Sequence, residues 1–266
     1  MTYVSLCVVT FINKRKDKKM VEYYKIREDL TQKYDGHTLY RIEALVNLPK
    51  HRVKAGDLGG WIESEKNLSG NAWVADNAKV FGNARVYDSA KVFGNAWIAD
   101  NAMIFDNAKV SGDAWVHGNA QVFGCAWVHR GACIYGSARV YDAAQVYGDA
   151  WVYGDARVFG SAKVYERAKV HGNAQVYECA QIYGDSQVYG NALINGNTQV
   201  YKTAKVYGNA KIFGNVWIYG NAQICGNTEL SGDMKIGGDR VLSSSGKNLS
   251  DADKILFAVN NDKQHE

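Results

Sequence analysis

The chain has 266 residues, 47% of them apolar, with 1 proline against 27 glycines and 17 tyrosines. That is enough apolar mass for a core, and the turn-forming glycines beside aromatic residues read as short extended segments joined by tight bends. The formal charge of +4 sits in the head, where residues 1–68 carry 13 basic and 9 acidic side chains against 14 and 13 over residues 69–238, a balance that argues against the concentrated basic face of a nucleic-acid binder.

In chain order, the first feature is YVSLCVVTFI, Tyr3 to Ile12, apolar but too short to span a membrane. The basic cluster KRKDKK follows this run, which is the wrong order for a signal peptide. Met20 then opens a more ordinary sequence. Residues 1–19 therefore read either as an extension from an upstream start codon or as an edge strand with a solvated basic turn. YYKIRED and HTLYRIEALV next read as hairpin-like strands around a turn at Tyr34-Asp35-Gly36. Five cysteines, Cys7, Cys125, Cys133, Cys179 and Cys225, form no CxxC pair and are odd in number. Neither a zinc site nor a complete disulfide framework is indicated, and reduced thiols in a cytoplasm are the expectation.

From Val74 a strict period begins. Stepping by six reaches Ile236 without insertion or deletion, and all 28 positions are Val, Ile or Leu. Two residues earlier the position is Ala in 23 cases, with Ser186, Thr198, Val216, Thr228 and Met234 as exceptions. Ala and Val two apart share one side of a strand, and the residue between them, often Lys, Arg or Gln, points the other way. The Ala/Val side is thus expected inside. Gly-Asn, Gly-Asp or Asp-Asn supplies the bend, since glycine and asparagine tolerate positive φ. Three such pieces close a three-sided coil, and Ile62 and Leu68 keep the phase upstream. The expected fold is an all-β, single-stranded parallel β-helix of about ten coils, a triangular prism roughly 48 Å long at ~4.8 Å per stacked strand. Residues 1–60 are assigned to an N-terminal extension and β-hairpin cap, 61–238 to the helix, and 239–266 to a linker and a C-terminal capping helix with Ser250 as N-cap.

The hexad resembles the [LIV]-x-x-x-[STAV]-x pattern of the left-handed parallel β-helix proteins, the hexapeptide-repeat acyltransferase superfamily. GHTLYRIEAL (Gly36 to Leu45) and GDLGGWIESEKNLSGNAWV (Gly56 to Val74) make it similar to the YdcK-like branch, common among bacterial and phage proteins. The resemblance implies the left hand, side-by-side oligomers and, in the enzymes, a histidine base with acyl-CoA bound between subunits. The unbroken hexads leave no room for the extruded loop of those enzymes.

His117, His129 and His171 follow the marker position, where Tyr and Phe usually stand. His117 and His171 share a corner column three coils apart, about 14 Å, so the three are read as packing residues, and no catalytic or metal residue is assigned. Tyr147, Tyr165, Tyr183, Tyr201 and Tyr219 occupy successive coils of one corner, either as a stabilising ladder or as a sticky strip for a partner, a glycan or bases. On one flat side Trp97, Trp115, Cys133 and Trp151 run between Lys79 and Lys169, an apolar strip of the kind that marks an interface. A second copy of the chain is its expected occupant, with burial under the head or tail as the alternative. Arg85, Arg139, Arg157 and Lys211 make a thin basic column on the third side.

Three function classes follow. The first is a non-catalytic solenoid scaffold or binding protein, suited to a phage or mobile-element accessory role, that meets a macromolecule or itself. The second is an acyltransferase using acetyl-CoA or another acyl-CoA at an inter-subunit cleft. The third, a glycan or nucleic-acid reader, is held down by the balanced charge of the repeats. The first needs no cofactor and no membrane.

Overall fold

Alternation of an inward and an outward residue makes each hexad a two-residue strand, and the residue pair that follows turns the chain onto the next side. A computed structural model describes residues 23–244. Over these residues the strands sort into three parallel stacks around one interior. Lys79 lies opposite Trp97, Lys91 opposite Lys109 and Gln121 opposite Arg139, so one turn of the coil takes 18 residues. The Lys79 N–H donates to the Ala96 carbonyl at 2.9 Å and the Phe81 N–H to the Ile98 carbonyl at 3.0 Å, a pattern repeated down the prism. The chain is an all-β parallel solenoid of about ten coils, as the period predicts.

The interior is filled by the two expected columns. Ala78, Val80, Ala96 and Ile98 are each 0% exposed, and their equivalents in later coils, as far as Ile236, are buried except Met234, which is partly buried near the far end. Burying each branched side chain contributes roughly 1.5–3 kcal/mol, and it is the neighbouring coil that provides the cover. Where Ser186 replaces alanine, its hydroxyl donates to the Tyr183 carbonyl at 2.7 Å. Thr228 does the same toward Cys225 at 2.6 Å. Thr198 has no such partner among the described residues.

The corners differ from expectation in one respect. Positive φ falls on the first residue of each pair, either glycine, as at Gly154 (φ 70), or a long or acidic residue, as at Asp100, Glu166 and Lys202 (each φ 58), and no asparagine among the described residues adopts it. The asparagines stand one place later and form amide ladders. Asn173 donates to Asn191 at 3.0 Å, Asn191 to Asn209 at 2.9 Å and Asn209 to Asn227 at 2.8 Å. The acidic corner residues also bond along the stack. Asp100 accepts from the Gly118 N–H, Glu166 from Gly184 and Glu178 from Gly196, each at 2.8 Å and one coil on.

The head joins the first stack. Strands β1 (Tyr24–Tyr34) and β2 (His37–Ala44) pair antiparallel across the turn at Asp35-Gly36. Strand β3 (Leu58–Ile62) pairs antiparallel with β2 and parallel with Lys79–Val80. It passes close over the first coil: a Cβ on Gly59 would lie 2.6 Å from Ile42 Cγ1 and one on Gly60 2.6 Å from Val74 Cγ1. Trp73 is buried beneath it. At the far end the stack continues past Gly238, because Val241–Ser244 pairs with Gln223–Gly226 and Leu242 takes the register of Ile224. The run Tyr3 to Ile12, Cys7 and the helix expected from Ser250 lie outside the described residues.

Candidate functional site

Outward residues of successive coils stand directly above one another, so a column in the sequence becomes a row on a face. Lys79, Trp97, Trp115, Cys133, Trp151 and Lys169 form one continuous row on the first face. Trp97 and Trp115 stack with centroids 4.7 Å apart and 12° between planes. The head takes the near end of this row. Tyr34, at the tip of the β1–β2 hairpin, meets Trp97 edge-on at 4.5 Å, and the Lys79 ammonium lies 5.2 Å from the Tyr34 ring centre. Trp97 is therefore half-buried, whereas Trp115 and Trp151 remain 47% and 41% exposed on either side of Cys133. The Lys169 ammonium sits 5.2 Å over Trp151 and closes the far end.

His117 is less isolated than its sequence column implies. Its Nε2 lies 3.9 Å from Cys133 Sγ and its Nδ1 3.6 Å from Asp100 Oδ2. These residues belong to different coils, and only the 18-residue step brings them together. The same Asp100 oxygen already accepts the Gly118 N–H at 2.8 Å. Burial pushes the Cys133 thiol up, in the direction that keeps its proton. The contact is thus a packed thiol beside an imidazole.

The tyrosine column is a stack. Tyr147, Tyr165, Tyr183 and Tyr201 follow at 4.8–5.0 Å with 3–4° between planes. His129 caps its upper end at 5.0 Å, and Tyr219 leans in at 5.4 Å and 17°. Tyr219 bends over Gly237, where a Cβ would come within 2.3 Å of its ring. Each inner ring is covered on both faces, leaving only its edge to solvent. The other two corners carry equivalent ladders, one of which holds His117 and His171 as rungs among Tyr135, Tyr153 and Tyr189. Burial, then the neighbouring cation Arg130 or Lys169, lowers the pKa of His129 and His171. Arg139 and Arg157 stand side by side on the third face, but Met103 and Gln121 separate them from Arg85, and Gln175 and Leu193 separate them from Lys211.

One feature of the second face is not legible in the sequence. The short turn Pro49–His51 folds down from the head beside the row Lys91, Lys109, Trp127, Gln145 and encloses a cleft of about 370 Å³. Buried His51 fixes the turn by donating from Nε2 to the Asn71 carbonyl at 2.6 Å. Lys50 bonds Asn107, and Lys91 donates to the His51 carbonyl at 3.2 Å. The single proline of the chain marks the turn, but no local signal tells that Lys50 reaches a residue 57 positions away. Among the described residues no group of three or more His, Cys, Asp or Glu side chains converges as a metal site, and no helix is long and apolar enough to cross a membrane.

Coils of fixed length around an apolar interior, with chemistry confined to rows and ladders on the outside, define a β-solenoid repeat protein. The family model described as YdcK beta solenoid repeat matches residues 186–202, just under one coil, with Val188, Ile194 and Val200 inside. No curated protein matches the chain.

Proposed function

We propose that this chain is a non-catalytic β-solenoid scaffold that pairs through its first face with a second copy of itself. The observation that carries the reading is the pair Trp115 and Trp151, 47% and 41% exposed on one flat side around half-buried Cys133. Beyond Trp151 the outward residues on the same face are Lys169, Gln187, Lys205 and Gln223 before the row ends at Val241.

A two-fold axis through Cys133 sets Trp115 against the partner's Trp151, so that apolar rings meet at the centre of the pair. His117 is stacked on Tyr135 as a rung of its corner ladder, which supports the scaffold over an acyltransferase that would use a histidine base with acetyl-CoA near His117. The covered ring faces of the tyrosine ladder favour a stabilising role over a surface for glycans or bases.

The repeat match and the head motif support a place beside YdcK-like proteins, and with it a left-handed winding, closure of the first coil by the head, and an accessory role in the cytoplasm of a phage-bearing host. The test of pairing is the mass in solution of the native chain beside Trp115→Gln/Trp151→Gln. A dimer that becomes a monomer is the expected result. A native monomer, or a double variant that stays dimeric, contradicts the proposal.

A further inference from the structure

The cleft under Pro49–His51 lies on the second face, apart from the tryptophan row, and its lining is chemically one-sided. Lys50 enters from the head, Lys91 and Lys109 from consecutive coils, and no carboxylate lines the space. Lys91 and Lys109 lie directly opposite each other in register. Burial, and in smaller part the repulsion of Lys109, lowers the pKa of Lys91, against an opposing pull from Asp76 outside the lining. Lys109 is exposed, and its ammonium makes no hydrogen bond or ion pair among the described residues. The folded chain thus gathers three ammonium groups at one opening, an arrangement that costs free energy unless a negative charge answers it.

The wall adds a flat apolar surface. Trp127 follows Lys109 in the row and is 39% exposed. Its indole N–H donates to Ser111 Oγ at 3.2 Å, and His129 packs against it at 4.3 Å with 33° between planes. These two contacts fix the ring plane and leave the ring as part of the cleft wall. Asn107 and Gln145 supply amides nearby. The volume of about 370 Å³ falls in the range of small-molecule sites, ~300–1,000 Å³.

We propose that this cleft binds a small phosphorylated molecule carrying a planar ring, of the mononucleotide class, with the phosphate among Lys50, Lys91 and Lys109 and the ring against Trp127. Three cations answer a phosphate of about −2 better than a single carboxylate. An indole held by two contacts offers a stacking surface without further ordering. The site draws one side from the head and the other from the coils, so ligand binding ties the head to the prism.

Calorimetric titration of the full chain with adenosine monophosphate, adenosine and inorganic phosphate tests this. The monophosphate is expected to bind, with adenosine or phosphate alone at least about tenfold weaker. Lys109→Gln, a change to an exposed side chain that leaves the fold intact, is expected to weaken the monophosphate about tenfold or more. Trp127→Leu is expected to weaken the monophosphate while leaving phosphate alone unchanged. No heat with any of the three, or an affinity for the monophosphate that Lys109→Gln does not alter, overturns the proposal.

Discussion

Thr198 stands in the alanine column with its hydroxyl buried and unpaired among the described residues. A buried hydroxyl without a partner costs on the order of 1–3 kcal/mol. Thr198→Val keeps the shape and removes that cost, and is expected to raise stability by about 1 kcal/mol in a urea titration. Gly136 makes the opposite case. It holds φ 70, and a Cβ there would lie 2.9 Å from the Gly154 nitrogen. Gly136→Ala is expected to lower stability by about 2 kcal/mol, from the left-handed backbone and the collision together. The sequence showed that glycine belongs at the corners, since the period repeats it. It did not show why asparagine follows, because the Asn173–Asn191–Asn209 ladder exists only between coils. In the same way, that Asp100 accepts the N–H of Gly118 depends on the stacking step and not on the local turn.

At the scale of the element, the ladder Tyr147–Tyr165–Tyr183–Tyr201 converts a sequence column into a stack with its phenols partly withdrawn from water. Burial, aided by Tyr183, Tyr147 and Glu166, raises the Tyr165 pKa from 10.0 to about 12, and Tyr147, Tyr183 and Tyr201 move the same way. The folded chain therefore holds these protons more tightly than the unfolded one. The resulting stabilisation is complete below pH 10 and is lost as the pH climbs toward about 12. Stability measured across that window is expected to fall for the native chain and to fall less for Tyr165→Phe, with phenolate absorbance of Tyr165 appearing above the range of free tyrosine. The ladder was readable from the period alone. The contact between His117 and Cys133 was not, since it joins residues of two neighbouring coils.

For the whole molecule, the strict six-residue step made the prism, its three faces and its interior legible, because every rule that builds it is local. The head was legible only as a hairpin. That Tyr34 meets Trp97, and that Lys50 reaches Asn107, depends on how β3 joins the first face, for which no repeat supplies a template. These two contacts shape the outer surface: one shortens the free tryptophan strip to Trp115, Cys133 and Trp151, and the other makes the cleft. Small-angle X-ray scattering of the native chain beside Trp115→Gln/Trp151→Gln tests the pairing of faces most directly. Side-by-side pairing predicts a native particle with the length of one prism and about twice its cross-section, reduced to a single prism in the double variant. A native particle already as thin as one prism, or one doubled in length, would contradict it.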